Sequence, residues 1–70
     1  MPKIIIIDVK TLRLRLNLSQ RQFALRYGFN LATLRDWEHG RRGPDKAART
    51  FLQVIAHSPD VVQEALRAAS

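Results

Sequence analysis

LSQRQFALRYGFNLATLRDWEHGRRGP spans residues Leu18–Pro44 and is the most informative stretch of the 70-residue chain. It contains two helical patterns that are separated by a short turn. The first helix of this pair begins after Ser19, since Ser19 and Gln22 have the spacing of a capping box. Gly28 readily adopts the left-handed conformation that ends a helix, and Asn30 is a favourable N-cap for the next helix. Two helices with so short a connection have the spacing of a helix-turn-helix.

The sequence on either side of this pair predicts three further helices. Apolar residues recur at helical spacing from Val9 onward. Pro44 is expected to be the first residue of a fourth helix, with Asp45 complementing the helix dipole. Pro59 marks the start of a fifth helix, and Phe29 is expected to fill the gap between the two central helices. The residues predicted to face the core are Val9, Leu12, Leu16, Phe23, Ala24, Tyr27, Leu34, Trp37, Ala48, Phe51, Leu52 and Ile55.

The N-terminal segment has a different pattern. Four consecutive residues, Ile4, Ile5, Ile6 and Ile7, are β-branched and favour an extended conformation, so residues 3–7 predict a short strand. The sequence offers no second strand, and an isolated strand leaves its backbone polar groups unsatisfied. We therefore expect pairing with the same strand of a second subunit or with a different protein. The alternative is a disordered or packed arm.

Positive charge is concentrated in the middle of the chain. The formal net charge is +6, and between Lys10 and Arg49 ten Lys and Arg residues stand against three acidic residues. After Arg49, a single basic residue stands against two acidic ones. Such an excess favours a polyanionic partner, although charge that serves only solubility is the simple alternative. We expect a central binding face and a different role for the C-terminal segment.

Composition argues against several other classes of protein. The chain has no cysteine, which excludes disulfides and thiolate metal sites. His39 and His57 have no partner ligand at helical spacing, and there is no glycine-rich phosphate loop. We therefore expect no enzymatic activity, no cofactor and no metal. No apolar run is long enough for a membrane span or a signal peptide, so a cytoplasmic location is expected.

The second helix of the central pair carries the residues that we expect to contact DNA bases. A helix fits the major groove with its N-terminal residues against the base edges. Leu31 and Ala32 suit contact with thymine methyl groups, and Arg35 suits a bidentate contact to guanine. The candidate base contacts are Asn30, Leu31, Ala32, Arg35 and Asp36, with Asn30 primarily a cap.

Other roles stay open for three of these residues. The alternative for Leu31 is packing against a neighbouring aromatic residue instead of DNA, and the alternatives for Arg35 are a phosphate contact or pairing with Asp36. For Asp36 the sequence allows three roles: accepting a hydrogen bond from cytosine, orienting Arg35, or repelling phosphate to sharpen selectivity.

Phosphate contacts are expected at two places around this helix. Gln20 and Arg21 open the first helix of the pair, where free amides and the helix dipole favour an anion. Arg41 and Arg42 follow the second helix in a loop that suits backbone neutralisation. The full set of candidates is Gln20, Arg21, Thr33, Arg41, Arg42 and Lys46, although Lys46 fits a solvated surface equally well.

Several short motifs occur together: Leu-Ser-Gln before the first helix of the pair, Phe-Ala within it, Gly in the turn, and Thr-Leu-x-x-Trp-Glu-x-Gly closing the second. Together they resemble the Cro/repressor-type helix-turn-helix family, also called the XRE family, over roughly Val9–Ile55. The resemblance implies a partly buried ion pair between Arg13 and Glu38 that fixes the first helix against the third. The N-terminal strand and the His-Ser-Pro-Asp segment look most similar to the antitoxin-type branch, such as HigA- and MqsA-like antitoxins.

The expected fold class is therefore all-α: a five-helix Cro/repressor-type domain with a short N-terminal strand. We expect an arm at residues 1–8, a DNA-binding core at residues 9–57 and a C-terminal dimerisation helix at residues 58–70. The residues expected in the dimer interface are Ile4, Ile5, Ile6, Ile7, Val62, Leu66 and Ala69.

The predicted function is that of a sequence-specific repressor that binds double-stranded DNA as a homodimer on a palindromic operator. We expect it to regulate its own small operon as the antitoxin of a toxin–antitoxin pair, with the toxin or another operon-encoded protein as a partner. One alternative is a phage or mobile-element regulator, such as an anti-CRISPR-associated autorepressor. An alternative of another class is a protein-interaction module that neutralises a toxin and binds DNA only secondarily.

Overall fold

The computed structural model describes residues 8–69, which form five α-helices and no strand. The helices are α1 (Val9–Arg15), α2 (Gln20–Tyr27), α3 (Leu31–Glu38), α4 (Lys46–His57) and α5 (Pro59–Ala69). The prediction of an all-α, five-helix fold is confirmed. The strand predicted at residues 3–7 lies outside the described residues. None of the five helices is long and apolar enough to cross a membrane.

Side-chain caps set the starts of four helices. Asp8, Ser19, Asn30 and Asp45 each accept a hydrogen bond from the backbone amide three residues further on. Each such bond satisfies an amide that a helix start leaves without an intrahelical partner. At α2 the capping box is complete, because the Ser19 amide also donates to Gln22 Oε1 at 2.9 Å. The predicted caps at Ser19 and Asn30 are thus confirmed, whereas the cap at Asp8 was not anticipated.

The start of α4 differs from the sequence prediction. Pro44 was expected at the first helical position, but α4 begins at Lys46 and Asp45 is its N-cap. Asp45 Oδ1 accepts a hydrogen bond from the Ala48 amide at 2.8 Å. Because a carboxylate at the N-cap satisfies this amide and faces the positive end of the helix dipole, the helix starts after Asp45 and Pro44 stays outside it.

The hydrophobic core draws on all five helices, with Phe23, Leu34 and Ile55 fully buried within it. Phe29, in the turn between α2 and α3, packs at the edge of this core. Its ring stacks on Phe23 with the centroids 5.7 Å apart and meets the edge of Trp37 at 5.4 Å. The expectation that Phe29 fills the gap between the two helices is confirmed, and the contacts fix the angle at which α3 leaves α2.

The C-terminal helix, α5, contributes a buried residue to the core of the single chain, whereas the sequence predicted that residue in a dimer interface. Val62 was expected in a dimer interface, but its side chain is only 8% exposed and packs within the core of a single chain. Tyr27 helps to hold α5 in place, because its hydroxyl donates to the Pro59 carbonyl oxygen at 3.3 Å. Burial raises the pKa of this hydroxyl, although a phenol at its ordinary pKa of about 10 is already protonated, and so able to donate, at neutral pH. Leu66 and Ala69 remain on the surface.

An ion pair between Arg13 and Glu38 joins α1 to α3. Arg13 Nε donates to Glu38 Oε2 at 2.8 Å, and Arg13 Nη2 donates to Glu38 Oε1 at 2.9 Å. Arg13 Nη1 donates to the Leu18 carbonyl oxygen at 2.9 Å, so the same guanidinium also fixes the segment before α2. The two side chains are 11% and 4% exposed. The pairing therefore takes the bidentate geometry that favours an Arg–carboxylate contact.

Hydrogen bonding keeps both members of this pair charged. The bonds from Arg13 lower the pKa of Glu38, against the effect of burial, and a hydrogen bond from Gln20 acts in the same direction as Arg13. Glu38 in turn raises the pKa of Arg13. At neutral pH the carboxylate is therefore ionised in the folded protein, and its partner supplies the compensating charge.

The position of the α4 cap leads to a first prediction. Asp45→Ala removes the acceptor of the Ala48 amide and should lower the free energy of unfolding by about 0.5–2 kcal/mol. Asp45→Asn retains an acceptor and should lose less. Urea unfolding followed by circular dichroism measures both variants. A loss in Asp45→Asn equal to that in Asp45→Ala would show that the cap oxygen does not stabilise α4.

The Arg13–Glu38 pair leads to a prediction about pH. Glu38→Gln leaves a buried guanidinium without its counter-charge and should cost about 3–5 kcal/mol at neutral pH. Because the pKa of Glu38 is lowered in the folded state, the ionised carboxylate stabilises the fold above the unfolded pKa of about 4.3. That contribution is lost as the pH falls through the folded-state pKa. Urea unfolding from neutral to acidic pH should therefore show the wild-type advantage over Glu38→Gln shrinking.

The control for this experiment is Glu64→Gln. Glu64 pairs with Arg67 at 3.3 Å on the surface of α5, where the Glu64 side chain is 69% exposed. Exposed pairs of this kind contribute at most about 1 kcal/mol, so this variant should remain close to wild type. A difference between wild type and Glu38→Gln that stayed constant into strong acid would contradict the ionised role of Glu38.

Candidate nucleic-acid interface

The turn between α2 and α3 holds α3 at a defined angle. Gly28 ends α2 with φ at 78°, in the left-handed region that favours glycine. Phe29 is then anchored against the core, and Asn30 caps α3 by accepting a hydrogen bond from the Thr33 amide at 3.1 Å. The packing of Phe29 and the cap bond of Asn30 together hold the first turn of α3 in place.

The residues expected to contact bases differ in how much surface they offer. Asn30, Ala32 and Arg35 are exposed, whereas Asp36 is half-buried. Leu31 is also half-buried and packs against the core. This packing supports in part the alternative in which Leu31 is tucked into the protein, because one side of the leucine contributes to the fold. Only the remaining part of its surface is open to a ligand.

Asn30 combines a structural contact with a free polar group. Its Oδ1 is the acceptor of the cap bond from Thr33. Its side-chain NH₂ has no hydrogen-bond acceptor among residues 8–69. An amide in this state offers two donors at the N-terminal end of α3, where base edges or phosphates would lie.

Gln20 connects α2 to α3 through both ends of its amide. Its Nε2 donates to Glu38 Oε1 at 3.2 Å, and its Oε1 accepts a hydrogen bond from Arg35 Nε at 3.3 Å. The phosphate contact expected of this side chain stays a prediction, and it would use the second N–H of the amide, since the first is bonded to Glu38. The backbone amides of Gln20 and Arg21, which have no acceptor within the described residues, are better placed for an anion at this helix start.

Asp36 faces the loop that follows α3. Its Oδ1 lies 3.6 Å from Arg41 Nη1, and its Oδ2 lies 3.9 Å from Arg42 Nε. Both distances are longer than a hydrogen bond, and both arginines are largely exposed. Among the described residues Asp36 forms no ion pair with Arg35, and its recorded partners are Arg41 and Arg42. Asp36 instead draws the two cations of the loop toward α3.

The phosphate candidates surround α3 without forming one cluster. Arg21 is exposed in the first turn of α2, and Arg41 and Arg42 are exposed beyond the end of α3. Thr33 is half-buried in the first turn of α3, and Lys46 is exposed at the start of α4. The structure thus brings the two loop arginines to Asp36. Among the described residues it records no hydrogen bond or ion pair that joins the side chain of Lys46 to the other candidates.

The contact between Gln20 and Arg35 was missed at the level of sequence. Arg35 and Glu38 are three residues apart and therefore share a face of α3, which would have allowed one side chain to bond to both. The missing information was that the start of α2 packs on this face. That is a tertiary contact, and no pattern within a single helix reports it.

Comparison with known proteins places this arrangement in a family. The helix-turn-helix family model matches residues 9–48. The crystal structure of an HTH XRE-family like protein from Agrobacterium tumefaciens is similar, with a TM-score of 0.84 and 44% sequence identity over 87% of this chain and 98% of that chain. A comparison with curated proteins gives no match. The chain belongs to the XRE family of helix-turn-helix proteins, a family of DNA-binding transcriptional regulators.

Proposed function

We propose that the protein is a sequence-specific repressor that binds duplex DNA through α3 and regulates transcription of its own operon as a homodimer. The observation that carries this proposal is the outer surface of α3. Exposed Ala32 and Arg35 lie on a helix whose start is capped and whose end is followed by two exposed arginines. A helix with these features fits the major groove, with base edges against its first turns and phosphates at its flanks.

Base contacts are assigned to the part of α3 that the fold leaves open. Arg35 is the main base-reading residue, because its terminal amino groups suit the O6 and N7 acceptors of guanine. Ala32 and the exposed part of Leu31 suit a thymine methyl group. The free amide NH₂ of Asn30 adds a donor, and Asp36 adds an acceptor for a cytosine amino group.

Phosphate contacts are assigned to the exposed cations and backbone amides around α3. Arg41 and Arg42 follow α3, and Arg21 lies in the first turn of α2 beside two amides without acceptors in the described chain. These contacts neutralise phosphates and fix the register of α3, but they carry no sequence information. Thr33 and Lys46 complete the set as secondary contacts.

Dimerisation is assigned to the exposed face of α5. Leu66 is 37% exposed and Ala69 is exposed. Val61, also on α5, is 69% exposed and takes the place of Val62, which the core already buries. A two-fold dimer through this helix would present two copies of α3 to successive major grooves about 34 Å apart. The N-terminal residues 4–7 remain a second proposed contact between subunits.

The antitoxin role is a second candidate, since an antitoxin must also bind a protein. Leu25 on α2 is 78% exposed, and DNA binding by α3 gives this leucine no role. A protein-interaction module that binds DNA only secondarily would show little affinity for duplex DNA, whereas a repressor that is also an antitoxin would bind both. Salt-dependent duplex binding therefore separates a protein-interaction module from a repressor that is also an antitoxin.

Arginine substitutions test the proposed division between base and phosphate contacts. Duplexes selected by the wild-type protein from a randomised pool give the preferred sequence. Arg35→Ala should lose about 1–3 kcal/mol on that sequence and relax the preference at one or two base pairs. Arg41→Ala should weaken binding to all duplexes alike and make the slope of log K against log salt shallower by about one. Titrations at several salt concentrations measure both effects.

Two outcomes would count against the proposal in different ways. Wild-type protein with no salt-dependent affinity for any duplex would remove the DNA-binding function itself. Equal effects of Arg35→Ala and Arg41→Ala on preferred and random duplexes would remove only the base-reading role of Arg35.

The α5 interface gives a separate prediction. Val61→Glu places a charge on the proposed dimer face and should shift the protein from dimer to monomer in sedimentation equilibrium at micromolar concentration. Leu14→Glu introduces the same charge on α1, at a residue that is 54% exposed, and should leave the dimer unchanged. Dimers of undiminished stability in Val61→Glu would exclude α5 as the interface.

A further inference from the structure

We propose that Gln20 is a positioning residue that sets the orientation of Arg35 and so contributes to base selectivity without contacting a base. The inference rests on the proposed base-reading role of Arg35. It starts from the position of Gln20 between two residues of α3. Arg35 and Glu38 lie three residues apart, and the Gln20 amide bonds to both at 3.3 Å and 3.2 Å.

Glu38 determines which way round the amide of Gln20 lies. The NH₂ group can donate to the carboxylate, and the oxygen is then left to accept from the guanidinium. The reversed amide would place its NH₂ against the donors of Arg35 and its oxygen against the oxygen of Glu38. Both contacts would be repulsive, so the charges on the two neighbours select a single orientation.

The ion pair described above makes this orientation rigid. Glu38 is held by two hydrogen bonds from Arg13 at 2.8 and 2.9 Å, and its side chain is almost completely buried. Gln20 is therefore attached to a fixed point of the fold instead of another mobile surface group. A chain of bonded groups runs from α1 through Arg13, Glu38 and Gln20 to the exposed side chain of Arg35.

The bond to Gln20 uses only one of the donors of Arg35. Nε donates to the glutamine oxygen, while the terminal Nη groups have no acceptor among the described residues. Those two amino groups are the pair that suits bidentate recognition of guanine. Fixing the guanidinium through Nε therefore orders the side chain before DNA arrives and leaves its recognition edge free.

The expected size of the effect follows from side-chain ordering. A long side chain that must be immobilised on binding costs a factor of about three to ten in affinity, and Gln20 would reduce that cost for one orientation of Arg35. The benefit applies to sequences that accept this orientation. Loss of Gln20 should therefore weaken binding to the preferred duplex by about threefold to tenfold and change binding to random duplexes little.

The experiment compares Gln20→Ala, Arg35→Ala and the double variant on the preferred duplex and on duplexes altered at single base pairs. We expect Gln20→Ala to relax preference at the same base pair as Arg35→Ala. In the double variant, the glutamine substitution should add nothing to the loss caused by Arg35→Ala. Gln20→Met keeps the length of the side chain without its hydrogen bonds and should behave as Gln20→Ala.

Arg21→Ala is the matched control, because it changes the next residue of the same helix turn, an exposed cation whose side chain has no partner within residues 8–69. It should weaken preferred and random duplexes by the same factor. Thermal unfolding of each variant establishes that α2 and α3 remain folded.

The outcomes separate this inference from the proposed function. If Gln20→Ala weakens all duplexes equally, or if its effect adds fully to that of Arg35→Ala, Gln20 does not position Arg35. Gln20→Met with wild-type selectivity would likewise overturn the role of the amide. In each of these cases selective loss in Arg35→Ala would still stand, whereas a wild-type protein without sequence preference would remove the proposed function first.

Discussion

The bidentate contact between Arg13 and Glu38 is the constraint on which the DNA-facing surface depends. It ties α1 to the end of α3, and through the Leu18 carbonyl it also ties α1 to the segment before α2. Burying two charges is costly unless each finds its full set of partners. Here the cost is offset by charge-assisted hydrogen bonds, and the geometry required to form them fixes where three segments meet.

The aromatic cluster around Phe29 adds an apolar contact between α2 and α3 to this ion pair. Phe29 lies between the rings of Phe23 and Trp37, which belong to α2 and α3. Aromatic rings in contact prefer a small number of mutual orientations. The turn is therefore defined by packing, while the ion pair defines the far end of α3, and the helix is held at both ends without use of its outer face.

Local signals in the sequence were sufficient for most of the fold. Caps such as Ser19 and Asn30 act on amides within the next turn, so their effect can be read from neighbouring residues alone. The sequence prediction placed the start of α4 at Pro44, because Pro44 and Asp45 each suit a helix start. Only the hydrogen bond from the Ala48 amide shows that Asp45 is the N-cap. The Arg13–Glu38 contact was expected from the family resemblance, not from spacing.

Features that depend on packing between distant segments could not be predicted in this way. An apolar stripe on α5 shows that the helix has a buried side, but it does not say whether that side meets the same chain or a second one. The structure assigns Val62 to the same chain. The bonds of Gln20 likewise required the relative placement of α2 and α3, which no single-helix pattern contains.

The loose contacts of Asp36 with Arg41 and Arg42 have a consequence for how the protein would search along DNA. They act as an internal counterion for the loop, so any phosphate that approaches must compete with a carboxylate already present. If these arginines contact phosphates as proposed, that competition would offset part of the electrostatic gain on an arbitrary stretch of duplex and would shorten each encounter. On the operator, base contacts by α3 would supply the remaining free energy, which favours rapid sampling before stable residence.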